Sequence, residues 1–218
     1  MSEKRKVFLV DDHPLVCDGL TTLIDRQADL QVCGTATSAP QALQAIEQLQ
    51  PDAAIIDITL ESGSGLELIK DLQACCPEVA LLALSMHDES VYAQRAIQAG
   101  ARGYVMKREA TKKVVAALRE VLAGNLFVSD AFAKKMAEKL LDKRGDRSSP
   151  GDALSDRELE VFEMLGRGWE TRRIADSLKI SMKTVQTYCA RIKEKMALRT
   201  ANELLLTAVR WVEEKQRQ

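Results

Sequence analysis

The chain has 218 residues, 46% of them hydrophobic and 29% charged, with a net charge of −1. At about 100–200 residues per domain this is one large domain or two small ones, and the composition excludes a disordered or collagen-like chain. The longest purely apolar run, Val79 to Leu84, is six residues, against about 20 for a membrane-spanning helix.

Lys4-Arg5-Lys6 is followed by only four apolar residues before Asp11, short of the apolar stretch of about 7–15 in a signal peptide. A cytoplasmic protein with no membrane partner is expected. The five cysteines (Cys17, Cys33, Cys75, Cys76 and Cys189) are odd in number and form no CxxC. They read as small hydrophobes rather than as a disulfide framework or zinc site. The two histidines, His13 and His87, leave little room for a histidine metal cage or a Ser-His-Asp triad.

In chain order, apolar runs at Val7–Val10, Leu30–Thr37, Ala53–Ile56, Val79–Leu84 and Tyr104–Met106 predict five strands. Continuous apolar runs suit strands buried on both faces of a parallel sheet. Helix-period segments follow at 14–26, 38–49, 64–75, 89–99 and 111–123. Ser38 and Thr111 are placed to cap helix starts, and Gly100 and Gly124 to close helix ends. Five βα units make a doubly wound α/β domain over 1–128. Residues 129–151 read as a linker. Within it 130–143 predicts an amphipathic helix, and 144–151, rich in Gly, Ser, Pro and charge, a flexible tether.

From Leu154 the strand pattern stops, and 152–218 predicts a small all-α domain. Ser155 and Glu158 form a capping box, and Thr200 and Glu203 a second one. Helices are predicted from Ser155 to Gly166 or Gly168, over 171–178, over 182–196, and from Thr200 to Glu214. The short turn between the second and third makes a helix-turn-helix pattern. Charge follows the same division: 1–128 carries 12 Lys+Arg against 17 Asp+Glu, whereas 167–199 carries 9 against 3. A basic window of this kind suits a polyanion.

Ligands of a doubly wound sheet gather at the carboxyl ends of the strands. Those ends carry Asp11, Asp12, Asp57, Ser85 and Lys107. Each alone could be a helix cap or a solvated charge. Together, three carboxylates would repel one another unless a hard cation such as Mg²⁺ or the Lys relieved them. A carboxylate beside Mg²⁺ can itself attack phosphorus and form an aspartyl-phosphate.

Asp11-Asp12, Asp57, Ser85 and the run Gly100-Ala101-Arg102-Gly103-Tyr104-Val105-Met106-Lys107 resemble a response-regulator receiver domain over roughly 5–125. Val10-Asp11-Asp12-His13-Pro14 resembles the NarL/FixJ subfamily in particular. The resemblance implies that Asp57 accepts a phosphoryl group from a sensor histidine kinase. It implies Mg²⁺ on Asp11, Asp12, Asp57 and the Thr59 carbonyl, with Ser85 and Lys107 on the phosphoryl oxygens. Tyr104 would follow Ser85 as an aromatic switch, turning inward on phosphorylation. After Asp57 the family often has Met-Pro-x-x-x-Gly, where this chain reads Leu60-Glu61-Ser62-Gly63-Ser64-Gly65. Thr59 and His87 occupy variable positions that tune dephosphorylation.

Two weaker motifs are set aside. Gly63-Ser64-Gly65 lacks the third glycine and the first-strand context of a dinucleotide fingerprint. Asp11-Asp12 has the wrong spacing for the Asp-x-Asp nucleophile of haloacid-dehalogenase-like phosphatases.

Leu154 to Val161, Gly168, Ile174-Ala175, Leu178, Ile180-Ser181, Thr184-Val185 and Lys195 resemble a LuxR-type helix-turn-helix domain. The third helix would enter the major groove of double-stranded DNA. Gln186, Thr187 and Ala190 match the family's base-facing positions. Lys183, Arg191, Lys195, Arg172 and Arg173 would contact phosphates, with Thr184 at the motif's start. Glu170-Thr171-Arg172-Arg173 stands where the family commonly has Ser-Asn-Lys-Glu, which adds positive charge. The expected protein is a phosphorylation-controlled regulator that forms a homodimer on activation. It would be a phosphoryl acceptor with at most slow self-dephosphorylation rather than a turnover enzyme. Ala208, Val209 and Trp211 of the last helix are the expected dimer surface, ordinary packing being the other reading. The alternative function is a constitutive DNA-binding regulator whose receiver only dimerises.

Overall fold

The computed structural model describes residues 3–60, 64–86, 89–141 and 150–216. His87, most of the expected tether and Glu61-Ser62-Gly63 lie outside the described residues. The chain divides into two units, Met1–Lys143 and Arg144–Gln218.

The first unit alternates strands β1 (Arg5–Val10), β2 (Leu30–Ala36), β3 (Ala53–Asp57), β4 (Ala80–Ser85) and β5 (Gly103–Met106) with helices α1 (Pro14–Asp25), α2 (Ala39–Leu49), α3 (Gly65–Cys75), α4 (Glu89–Ala99) and α5 (Ala110–Leu122). All strand pairs are parallel, in the order β2-β1-β3-β4-β5. Each return between parallel strands here runs through a helix, so helices cover both faces and the central strand β3 loses contact with water. All five residues of β3 are buried, which is why it reads as an unbroken apolar run rather than an alternation. One face of the sheet packs Val7, Leu9, Ile55, Leu82 and Leu84 against α1 and α5 through Leu20, Ile24, Val114 and Leu118.

Gly100 and Gly124 take φ of +119° and +83° just past α4 and α5, in keeping with their expected capping places. Two caps differ from expectation. Ser38 stands at the α2 N-cap without a side-chain hydrogen bond. Thr111 is not a cap at all: a short 3-10 turn, Lys107–Glu109, leads directly into α5 at Ala110. The tighter turn follows from placing Lys107 at the strand end while the chain reverses at once.

A helix, α6 (Asp130–Leu141), forms where the linker was expected to be helical, and it belongs to the first unit. The approach to it extends the sheet edge. Phe127 N–H donates to Arg102 O at 2.9 Å, and Tyr104 N–H donates to Phe127 O at 2.9 Å. Ser129 Oγ then accepts from Phe132 N–H at 3.1 Å, capping α6, and Phe132 is buried.

The second unit holds α7 (Pro150–Ala153), α8 (Asp156–Gly166), α9 (Thr171–Ser177), α10 (Met182–Lys195) and α11 (Ala201–Gln216). The Ser155–Glu158 capping box is complete. The second box is only half formed. Thr200 Oγ1 accepts from Glu203 N–H at 3.1 Å, but the Glu203 carboxylate reaches the Arg199 N–H. Val161, Phe162, Ile174, Val185, Ile192, Leu204 and Ala208 form the core. Trp211 packs edge-on against Phe162 with ring centroids 5.5 Å apart. Ala208 and Trp211, expected at a dimer surface, are therefore core residues, while Leu205 and Leu206 are exposed on α11. A helix can bury only one face in its own domain, and here 204, 208, 211 and 212 supply that face. Among the described residues no helix is long and apolar enough to cross a membrane.

Candidate functional site

Strand register assembles the first site. Val10 pairs with Ile56, which sets Asp11 beside Asp57 at neighbouring strand ends. Ser85 pairs with Met106, so Lys107 begins where β5 stops, next to Ser85. Asp11, Asp57 and Ser85 are buried. Lys107 Nζ lies 2.7 Å from Asp11 Oδ2 and 2.8 Å from Asp57 Oδ2. Asp57 Oδ1 accepts from Thr59 N–H at 3.2 Å.

Burial pushes the Asp57 carboxyl up to about 6, the Lys107 ammonium pulls it back, and the Asp11 charge adds to the rise. Burial would lower the Lys107 ammonium, but Asp57 and Asp11 outweigh it and hold it above its ordinary value. The pair thus stays charged at neutral pH, an ionised carboxylate next to a fixed cation.

Asp11, Asp12, His13 and Asp57 bring ligand atoms within 4.8 Å of one another and could hold a metal ion. Asp11 Oδ2 is sealed from solvent, with the Lys107 ammonium 2.7 Å away. Three carboxylates suit a hard divalent cation better than a soft one. His13 was given no role by the sequence reading. Its N–H donates to Asp11 Oδ1 at 2.9 Å, and its Nδ1 lies 2.8 Å from Asp12 Oδ1. The sequence signal was its place directly after two acidic strand-end residues. Tyr104 is 2% exposed. It was expected to turn inward on phosphorylation, and it is already inward here, on an edge strand that the Phe127 segment covers.

The second unit presents one polar helix face. Val185 and Ile192 anchor α10 in the core, which leaves Lys183, Gln186, Thr187, Ala190 and Arg191 exposed on the opposite side. Thr187 Oγ1 donates to the Lys183 carbonyl at 2.9 Å, so its methyl and lone pairs remain for a ligand. Thr184 is part of the α10 cap, 2.8 Å from the Ser181 hydroxyl. Arg172 and Arg173 are exposed in the first turn of α9. Lys195 has a structural partner that the sequence reading missed: its Nζ lies 2.7 Å from Glu158 Oε2, inside the capping box of α8.

Comparison with known proteins matches each unit to a known family. Residues 7–119 match the response regulator receiver domain, and residues 152–208 match the bacterial regulatory proteins of the luxR family. The chain is 35% identical over 205 residues to the response regulator GacA of Pseudomonas aeruginosa, covering 94% of this chain and 95% of that one. It also resembles the crystal structure of a LuxR-family two-component response regulator from Aurantimonas, at 31% identity and a TM-score of 0.59, over 64% of this chain and all of the other. RcsB of Salmonella enterica, solved on promoter DNA with the phosphomimetic BeF3⁻, shares the fold at 20% identity and a TM-score of 0.62, over 94% and 98% of the two chains. The chain belongs to the two-component response regulators of the NarL/FixJ subfamily, a receiver domain followed by a LuxR-type helix-turn-helix domain that serves transcription regulation.

Proposed function

We propose that Asp57 is phosphorylated by a sensor histidine kinase and that this controls DNA binding through α10. The observation that carries the reading is the buried Asp57 carboxylate held 2.8 Å from Lys107 Nζ. An Asp57 oxygen attacks the phosphorus of a phosphohistidine. The P–O bond forms as the P–N bond breaks, and the histidine leaves with a proton from solvent. Lys107 and Ser85 bind the phosphoryl oxygens, and positioning and charge neutralisation supply the catalysis. Mg²⁺ would be held by Asp11, Asp12, Asp57 and the Thr59 carbonyl. When bound, it offsets the charge of the carboxylates and the incoming phosphoryl group. Asp57 is an acceptor in this scheme, without turnover beyond slow self-dephosphorylation.

DNA is the polyanion that the basic face of α9 and α10 fits. Gln186, Thr187 and Ala190 face base edges, and Lys183, Arg191 and Arg172 face phosphates. A cytoplasmic homodimer follows from the same reading, since Leu205 and Leu206 leave an apolar strip on α11. RcsB was solved as dimers on DNA. Phosphorylation acts as a population shift, effective only as far as phosphate binds the active arrangement more tightly.

Intact mass after acetyl phosphate and Mg²⁺, paired with sedimentation, tests the scheme. The expected result is a gain of one phosphoryl group and a shift to dimer, both absent in Asp57→Ala. No gain from either acetyl phosphate or a phosphorylated kinase would favour a constitutive regulator with a receiver used only for dimerisation.

A further inference from the structure

We propose that Trp169 is a positioning residue for DNA binding, a ring platform that holds Arg173 ordered for a backbone phosphate. The Arg173 guanidinium carbon sits 4.1 Å from the centroid of the Trp169 ring. This rests on the reading of α9 and α10 as the DNA-binding pair.

The local backbone builds the platform. Gly168 takes φ +78° just past α8, a left-handed conformation that suits glycine. Gly168 N–H donates to Leu165 O at 2.9 Å, and Trp169 N–H donates to Met164 O at 3.1 Å. This is a Schellman closure, and it fixes the tryptophan backbone. Glu170 then caps α9, which places Arg173 one helical turn from Trp169. Trp169 is half-buried and Arg173 exposed, so one ring face is available to the guanidinium.

Arg173 is costly where it stands if its role is only structural. It lies in the first turn of α9 beside Arg172, a turn with no acidic residue of its own, and Glu170 at the N-cap makes no side-chain cap hydrogen bond. Cations at this end oppose the helix dipole. Residues that break a local rule are expected at functional positions. In a helix-turn-helix the first helix crosses the DNA backbone, so a cation on α9 meets phosphates rather than bases. A free arginine loses rotamer freedom when it binds; one already stacked loses less.

The test is a double-mutant cycle on the full chain, read by anisotropy with a mixed-sequence duplex between about 50 and 200 mM salt. Arg173→Ala is expected to make the slope of log K against log salt shallower by about 0.9. Trp169→Ala is expected to weaken binding roughly two- to fivefold, with no further loss in the Arg173→Ala background. Trp169→Phe, which keeps a ring and guards against a folding defect, should retain most of the affinity. An equal loss from Trp169→Ala in both backgrounds would overturn the proposal, as would an unchanged slope in Arg173→Ala. Wild type that fails to bind the duplex at all would sink the DNA-binding reading together with it.

Discussion

Glu89 Oε1 accepts a hydrogen bond from the Ser129 N–H at 2.7 Å. Glu89 opens α4 and Ser129 caps α6, so one buried carboxylate joins the helix after Ser85 to the helix after the sheet. Replacing Glu89 by Ala leaves that N–H without its charged acceptor, at a cost of about 1–3 kcal/mol. Hydrogen exchange should then speed up in the first turn of α6, by roughly five- to a hundredfold. Glu89→Gln keeps an acceptor oxygen and should retain most of the protection. Unchanged exchange in Glu89→Ala would show that α6 is held by Phe132 burial alone.

Gly65 controls the strand end that carries Asp57. A Cβ there would collide with the Asp57 carbonyl oxygen and come within 2.8 Å of the Ile58 Cα. Both are backbone atoms, and neither can swing away. Gly65→Ala must therefore displace either α3 or the end of β3, at a cost of about 1–3 kcal/mol. Phosphorylation by acetyl phosphate should fall severalfold even at temperatures where the receiver remains folded by circular dichroism. A variant that folds and phosphorylates like wild type would mean that α3 shifts without moving Asp57.

The carboxylate cluster predicts opposite responses to charge removal and to metal. The folded Asp57 carboxyl titrates at about 6, above its unfolded value. Its ionisation therefore costs stability: the penalty is absent below the unfolded value and complete above the folded one. In chelator at neutral pH, Asp57→Asn should stabilise the first unit, by at most about 3 kcal/mol. Mg²⁺ should stabilise wild type by mass action, by about 2.7 kcal/mol at a hundred times its Kd, and Asp57→Asn less. Calorimetry with EDTA and then Mg²⁺ reads both effects. Equal Mg²⁺ shifts in the two proteins would remove Asp57 from the metal site.

The parts of this molecule legible from sequence are those set by local pattern. The five strands and their acidic or basic end residues follow from apolar runs and from where a parallel sheet exposes its chemistry. The Ser155–Glu158 cap and the outward face of α10 follow from residue spacing. The Glu89–Ser129 bond joins residues 40 positions apart, and no periodicity announces it, so α6 read as part of a connector. Lys195 likewise read as a phosphate contact, because its partner Glu158 is 37 positions away. Trp169 and Arg173 do carry a local signal, an aromatic and a cation four residues apart. It spans a helix boundary, where the rule for neighbours on one helix does not apply.

Glu158 gives the second unit a pH dependence of defined sign. Burial would raise its carboxyl, but the Lys195 ammonium and the Ser155 N–H more than offset this and hold it below the usual range. A depressed carboxyl contributes stability above its unfolded value of about 4.3 and loses it as pH falls through the folded value. Lys195 is 42% exposed, so solvent screens the pair and its contribution at pH 7 is about 1 kcal/mol. Both tryptophans, Trp169 and Trp211, lie in this unit, so denaturation followed by tryptophan fluorescence reports on it alone. Glu158→Gln should be less stable than wild type at pH 7, and the gap should close below about pH 4. A gap that persists unchanged into acid would assign the loss to cap geometry rather than to the charge.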